Sequence, residues 1–284
     1  MATLTNTEIT TALRTLGLDQ GDTVFVHSSI SSMGYVEDGA VSVTDALLRV
    51  LGMKGTLVVP TFTFCHANGN NPVFDPYCDP SEMGQLSEVV RIHPNSSRSI
   101  HLLHSISALG CLSDQITANH GESAWADDGP FGKLYDYDAK ILLLGVPYLR
   151  CTYFHVIEQR VAVPYRSWTK IEASTVERGG TKRSLCTRVF GPKPGFPGND
   201  FNKFGAILEN RNFAHVGFIG NAVARLFRVR DVIDVGLVEY YKDPLLFVKT
   251  GNELTQLRDG VLTNELNEEK SVINPIHRYI KNRE

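Results

Sequence analysis

The sequence predicts an α/β fold with a central, mostly parallel sheet flanked by helices. Three observations carry that expectation. Two short apolar runs, Thr23-Val24-Phe25-Val26-His27 and Gly55-Thr56-Leu57-Val58-Val59-Pro60, bracket a helical pattern from Val43 to Leu51. This is the strand, helix, strand rhythm of a parallel sheet covered by helices. A third run, Ile141-Leu142-Leu143-Leu144-Gly145-Val146, is apolar throughout, as befits a strand buried on both faces. The 284 residues are 42% hydrophobic, enough to fill the core such a fold needs.

Each element has a local reason. Thr5-Asn6-Thr7-Glu8 supplies helix-capping residues ahead of an apolar pattern at Ile9, Leu13 and Leu16, and Gly17 supplies the stop. The strand at 23–27 runs into a small polar loop, Ser28 to Gly34, and loops at the C-terminal ends of strands are where α/β folds place ligands. Residues 65–82, rich in Asn, Pro, Asp and Gly, read as a long irregular excursion, either functional or a surface insertion. Helices are expected over Met83 to Arg91 and Thr152 to Arg160. From about 170 to 200, Gly-Gly and Pro-Gly breaks between short β-like runs suggest a smaller β-rich subdomain within a single domain spanning 1–284.

Composition narrows the function classes. The 28 basic and 31 acidic residues are interspersed, so no basic field advertises a nucleic acid. Five cysteines, Cys65, Cys78, Cys111, Cys151 and Cys186, lack metal-binding spacing and suggest reduced thiols rather than disulfides or a metal site. The first residues lack a signal-peptide pattern and no apolar run reaches the ~20 residues of a membrane span, so a cytoplasmic location is expected.

Three clusters could carry chemistry. In Thr152-Tyr153-Phe154-His155-Val156-Ile157-Glu158, helical spacing would line up Thr152, His155 and Glu158 as one polar stripe. A neutral imidazole can take a proton from an attacking amine, a carboxylate can orient it, and a hydroxyl can donate to a developing oxyanion. Spacing alone equally describes an ordinary helical histidine beside a surface ion pair. The second cluster, Ser97 to Ser105, places Arg98 among hydroxyls suited to phosphate. The third, His27-Ser28-Ser29, follows a strand but lacks the glycine pattern of a nucleotide-binding loop.

Together the blocks VHSSISSMG (26–34), GTLVVPTFTF (55–64), MGQLSEVVR (83–91), RSIHLLHSISALG (98–110), DDGPFGKL (127–134), ILLLGV (141–146), TYFHVIE (152–158) and HVGFIGNAVARLFRVRDVIDVG (215–236) resemble the aminoglycoside 3-N-acetyltransferase family. That resemblance implies an α/β fold distinct from the GCN5-related acetyltransferases, acetyl-CoA as co-substrate, no metal, and direct acetyl transfer to an amine. Carried over by motif, Thr152 would be the oxyanion donor, His155 the general base and Glu158 its orienting carboxylate. His27, Ser28, Ser29, Ile30 and Ser31 would form the coenzyme A loop. Arg98, Ser99 and Ser105 would contact phosphate, although Leu102 stands where the family has proline.

For the acceptor, Glu88 is a candidate pocket carboxylate or a helix ion pair. Arg150, just ahead of Thr152, stands where drug-modifying relatives commonly carry Asp or Asn. An arginine there would repel a polycation and suit a phosphate or carboxylate. The acceptor is therefore an aminoglycoside or an amino sugar, with a nucleotide-linked or phosphorylated amino sugar as the alternative. A coenzyme A or sugar binder without turnover is the reading from outside the enzyme class. The sequence leaves the oligomeric state open, a homodimer included.

Overall fold

The computed structural model describes residues 3–70 and 72–250. In chain order its elements begin with α1 (Asn6–Leu16), β1 (Thr23–Ser28), α2 (Gly39–Leu51), β2 (Thr56–Pro60), β3 (Val73–Phe74), α3 (Gln85–Ile92), β4 (Ser97–Arg98) and β5 (Ile106–Gly110). They continue with α4 (Ser113–Thr117), α5 (Pro130–Asp136), β6 (Lys140–Leu144), α6 (Phe154–Arg160), β7 (Arg166–Val176), β8 (Lys182–Pro192), α7 (Phe201–Asn210), β9 (Ala214–Ile219), β10 (Ala222–Arg228) and α8 (Val229–Lys242).

The capping expected for α1 is present. Glu8 N donates to Thr5 Oγ1 at 3.3 Å, Thr5 N donates back to Glu8 Oε2 at 2.8 Å, and Gly17 ends the helix at φ 108°.

Seven strands form one sheet in the order β4-β5-β2-β1-β6-β10-β9. Only β2-β1-β6 is parallel, and each remaining neighbour pairs antiparallel. The α/β class holds, but the sheet is mixed rather than mostly parallel. The reason lies in the connections: β9 and β10 are joined by a tight turn at Gly220-Asn221, and a tight turn can only reverse the chain.

Alternation along the central strands builds two cores. Val24 and Val26 of β1 pack with Ile9, Leu13, Val43 and Leu47 of α1 and α2. Phe25 points to the other face, toward Phe131 of α5 and Phe154 of α6. The same split divides Leu142 and Leu144 from Ile141 and Leu143 in β6. With both faces covered, the continuous apolar run of β6 follows from its position at the centre. Truncating either Leu142 or Leu143 to alanine should cost about 2–5 kcal/mol.

The β-rich segment expected near 170–200 is a long hairpin, β7 with β8, joined by β3 in a separate three-stranded sheet. It closes on a small core of Phe74, Leu102, Leu103, Ile171 and Val189. At the base of this hairpin Arg166 pairs with Pro192. All five cysteines are free thiols, and no described helix is long and apolar enough to cross a membrane.

Candidate active site

A cavity of about 590 Å³ opens at the C-terminal ends of β1, β2 and β6, where open α/β sheets expose the loops that follow their strands. Ser28, Ser29, Ile30 and Ser31 line it after β1, Pro60 ends β2 there, and Val146, Leu149 and Arg150 line it after β6. The entrance to α3 and the base of the β7-β8 hairpin form the opposite rim.

The two loops on the floor are fastened together. Ser29 N donates to Leu144 O at 2.9 Å, and Ser32 Oγ donates to Ser29 O at 2.6 Å. Gly145 takes φ 70°, and a Cβ there would lie 1.8 Å from Ser32 Oγ. Both the backbone conformation and the close approach require glycine.

His155 sits in the first turn of α6, so Glu158 falls one turn on and on the same side. Its Nδ1 hydrogen-bonds Glu158 Oε2. Glu158 is fully buried, and two further groups hold its charge in place. Tyr165 donates from its hydroxyl to Oε1 at 2.9 Å, and Arg166 Nε lies 3.0 Å from Oε2 as a charge contact without hydrogen-bond alignment. Burial alone would raise the Glu158 carboxyl, but Arg166, His155 and Tyr165 together outweigh it and hold it below the usual carboxylate range.

Burial and Arg166 likewise lower His155, with Glu158 opposing them. The imidazole is therefore neutral near pH 7. With Nδ1 committed to the carboxylate, Nε2 is the nitrogen left to accept a proton. The ring is wedged between Trp125, at 5.2 Å between centroids, and Phe201, at 5.0 Å, which fixes its orientation.

Thr152 is not on the helix. It occupies the turn before α6, where its carbonyl accepts from His155 N at 3.2 Å, and its Oγ1 lies 3.4 Å from His27 Nε2. His27, at the end of β1, is pushed down to about 3 by burial and is neutral. His27, Thr152, His155 and Arg150 thus all face the cavity, together with the Ser28 to Ser31 loop.

Four expected residues do not. Arg98 spends its donors on protein: Nη1 on Asp79 O at 2.6 Å, Nη2 on Thr61 O at 2.7 Å and Nε on Ser105 Oγ at 3.1 Å, with the guanidinium over Phe74. Ser105 Oγ itself donates to Thr61 O at 2.7 Å. Ser99 is fully buried, its hydroxyl meeting His120 Nδ1 and Ile106 N, both at 2.9 Å. These hydroxyls and the guanidinium anchor β4, β5 and the irregular 65–82 segment, and none lines the cavity. Glu88 is the helix ion pair, accepting from Arg91 Nε and from Ser81 N, both at 2.9 Å.

The cavity also has walls that sequence reasoning did not foresee. Phe62, Phe64, His104 and Trp125 form one side, and Phe196, Phe201 and Arg166 another. Arg166 follows Glu158 by eight residues with no shared periodicity, so only the turn of the chain into β7 shows the pair. A Tyr-Arg dipeptide shortly after the T-x-x-H-x-x-E stretch was the available signal.

The family model described as aminoglycoside 3-N-acetyltransferase matches residues 25–240. The SPbeta prophage-derived aminoglycoside N(3')-acetyltransferase-like protein YokD of Bacillus subtilis (strain 168) is 32% identical over 251 residues, covering 81% of this chain and 90% of that protein. Its crystal structure superposes with a TM-score of 0.76 over 86% of this chain and 96% of that one. AAC-IIIb, solved as a binary complex with CoASH, shares the fold at 24% identity with a TM-score of 0.78, covering 88% of this chain and 99% of that one. The aminoglycoside acetyltransferase AAC(3)-IVa, solved as a mutant in complex with gentamicin, is 26% identical with a TM-score of 0.72 over 88% of this chain and 93% of that one. With a family match across most of its length and a relative 32% identical over 81% of it, the chain belongs to the aminoglycoside 3-N-acetyltransferase family of acyltransferases.

Proposed function

We propose that this chain transfers an acetyl group from acetyl-CoA directly to an amino group of an aminoglycoside or amino sugar, with His155 as general base. The observation that carries this reading is the hydrogen bond between His155 Nδ1 and the buried Glu158, which leaves the rest of the imidazole facing the cavity beside Thr152. A base that is already neutral needs no prior deprotonation. Glu158 stabilises the imidazolium that forms when the amine gives up its proton.

Thr152 Oγ1 donates to the thioester oxygen as it gains charge, and the imidazolium returns its proton to the departing thiolate. Bonds balance: a C–N bond forms, the C–S bond breaks, and one proton moves from amine to sulfur through His155. The Ser28 to Ser31 loop, with Val146 and Leu149 beside it, offers small polar and apolar surface suited to the pantetheine arm of coenzyme A. A cavity-facing base paired with a buried orienting carboxylate argues against a binder without turnover.

A second reading of the acceptor, a nucleotide-linked or otherwise phosphorylated amino sugar, is favoured by Arg150 lining the cavity. The test is thiol release from acetyl-CoA across aminoglycosides, free amino sugars and nucleotide-linked amino sugars, with His155→Ala as control. Release that survives in the variant would discard His155 as the base.

A further inference from the structure

One polar side chain in the cavity neither ties the fold together nor takes part in the transfer at His155. His104 lines the cavity, is 6% exposed, and makes no side-chain hydrogen bond with the described residues. Its Nδ1 is shut off from solvent, so Nε2 is the ring nitrogen that a bound molecule can reach. The neighbouring histidines differ. His101 Nδ1 accepts from the backbone N–H groups of Leu103 and His104 at 3.2 and 3.0 Å, and His120 Nδ1 meets Ser99 Oγ at 2.9 Å. Neither of those rings lines the cavity.

The surroundings of His104 would suit a phenylalanine better. Its ring packs edge-on against Phe62 at 5.0 Å between centroids and Phe64 at 5.6 Å, and lies 5.0 Å from Trp125. Burial lowers it well below the ordinary imidazole value, so the ring is neutral and carries one N–H and one lone pair. Leaving both unpaired among aromatic carbon costs stability that an apolar ring would keep. A side chain that works against the fold in this way marks a functional position.

The backbone fixes where this ring stands. Leu103 O and Ser105 O, on either side of it, accept from Thr63 N and Thr61 N at 3.0 and 2.9 Å. The segment thus extends the pairing of β2 with β5, and His104 enters the cavity from the β5 side. The Ser28 to Ser31 loop follows β1, two strands away in the order β5-β2-β1-β6. Trp125 stands between the two imidazoles, 5.2 Å from His155 and 5.0 Å from His104. A ring whose amine meets His155 therefore carries other substituents past Trp125 toward His104.

We infer that His104 binds the acceptor, its Nε2 hydrogen-bonding a hydroxyl of the acceptor ring while the reacting amine lies at His155. A hydroxyl both donates and accepts, so it matches a neutral imidazole in either tautomer. The inference rests on the acetyl-transfer reading and adds to it a residue that determines specificity.

The full chain and its His104→Phe, His104→Leu and His104→Asn variants test it, through Tm without ligands and thiol release from acetyl-CoA with kanamycin and with glucosamine. His104→Phe should keep or raise Tm. For whichever amine is turned over it should raise KM about fivefold or more, with KM for acetyl-CoA unmoved. His104→Asn, close in size to His104→Leu but able to hydrogen-bond, should raise the amine KM less than His104→Leu does.

A fall in Tm in all three variants with the amine KM unmoved makes His104 a structural tie and overturns the inference. An equal rise in KM for acetyl-CoA moves the contact to the coenzyme and overturns it as well, while leaving acetyl transfer in place. Thiol release with neither amine, in a chain that still binds acetyl-CoA, overturns the transfer reading and this inference together.

Discussion

The His155 cluster and the Arg98 cluster contain the same kinds of groups, and the fold uses them for opposite ends. Both hold a charged side chain, hydroxyls and histidines. Around His155 the polar atoms are arranged so that one nitrogen is left over and faces the cavity. Around Arg98 each guanidinium nitrogen is matched to a carbonyl or hydroxyl of the protein. What separates a reactive site from a structural tie is the count of unspent donors and acceptors, not the residue types present.

That contrast can be broken by experiment, and the largest expected effect is on acid stability. His101, His104 and His120 pack together beside Ser99, and burial lowers all three as it lowers His27, which together with His101 is pushed to about 3. Their folded values lie below the ordinary 6.5, so the unfolded chain takes up protons first as pH falls. The stability is complete above the ordinary value and is lost downward from about 6.5 toward 3. Urea titrations should show unfolding coupled to uptake of about four protons just below pH 6, a slope of ~1.4 kcal/mol per pH unit for each. A flat profile between pH 7 and 5 would mean that these rings are not held neutral.

Next comes Arg98→Ala, expected to cost about 2–4 kcal/mol by stranding the carbonyl of buried Thr61 and that of half-buried Asp79. The folded fraction should keep its acetyl-CoA affinity. A fall in affinity with unchanged stability would return Arg98 to the ligand.

His155→Ala should do the reverse, lowering turnover about a hundredfold or more with little change in Tm. Arg166→Leu sharpens the same site. Arg166 lowers His155, so its loss lets the imidazole titrate higher, and the acidic limb of kcat/KM should move to higher pH. A limb that stays in place would assign it to another group. Smallest is Glu88→Ala, a partly exposed helix pair worth less than about 1 kcal/mol, with KM unaltered for both substrates.

The sequence made some of this visible and hid the rest for physical reasons. Strands β1, β2 and β6 were legible because burial on both faces demands unbroken apolar runs. The His155–Glu158 pair was legible because a helix turn fixes its geometry. The antiparallel flanks were not, since pairing direction depends on the connections rather than on the strands' own residues. Nor was the fate of Arg98, because guanidinium binds a phosphate oxygen and a backbone carbonyl through the same donors. The long 65–82 segment, read as either functional or incidental, supplies through Asp79 and its neighbours part of what Arg98 ties down. Trp125 and Arg166 join the site from distant or non-periodic positions, which no local pattern records.

The contact at Gly145 also bears on how this scaffold can be re-tooled. The two floor loops are coupled at a spacing smaller than a methyl group, so enlarging either one displaces both. Broader acyl or amine scope is better sought in the hairpin rim at Pro192 than at Phe196, whose ring packs on Tyr165 and Arg166, the groups that hold Glu158. Library design that spares 28–32 and 145 and randomises the rim should therefore keep a higher fraction of active clones than the converse.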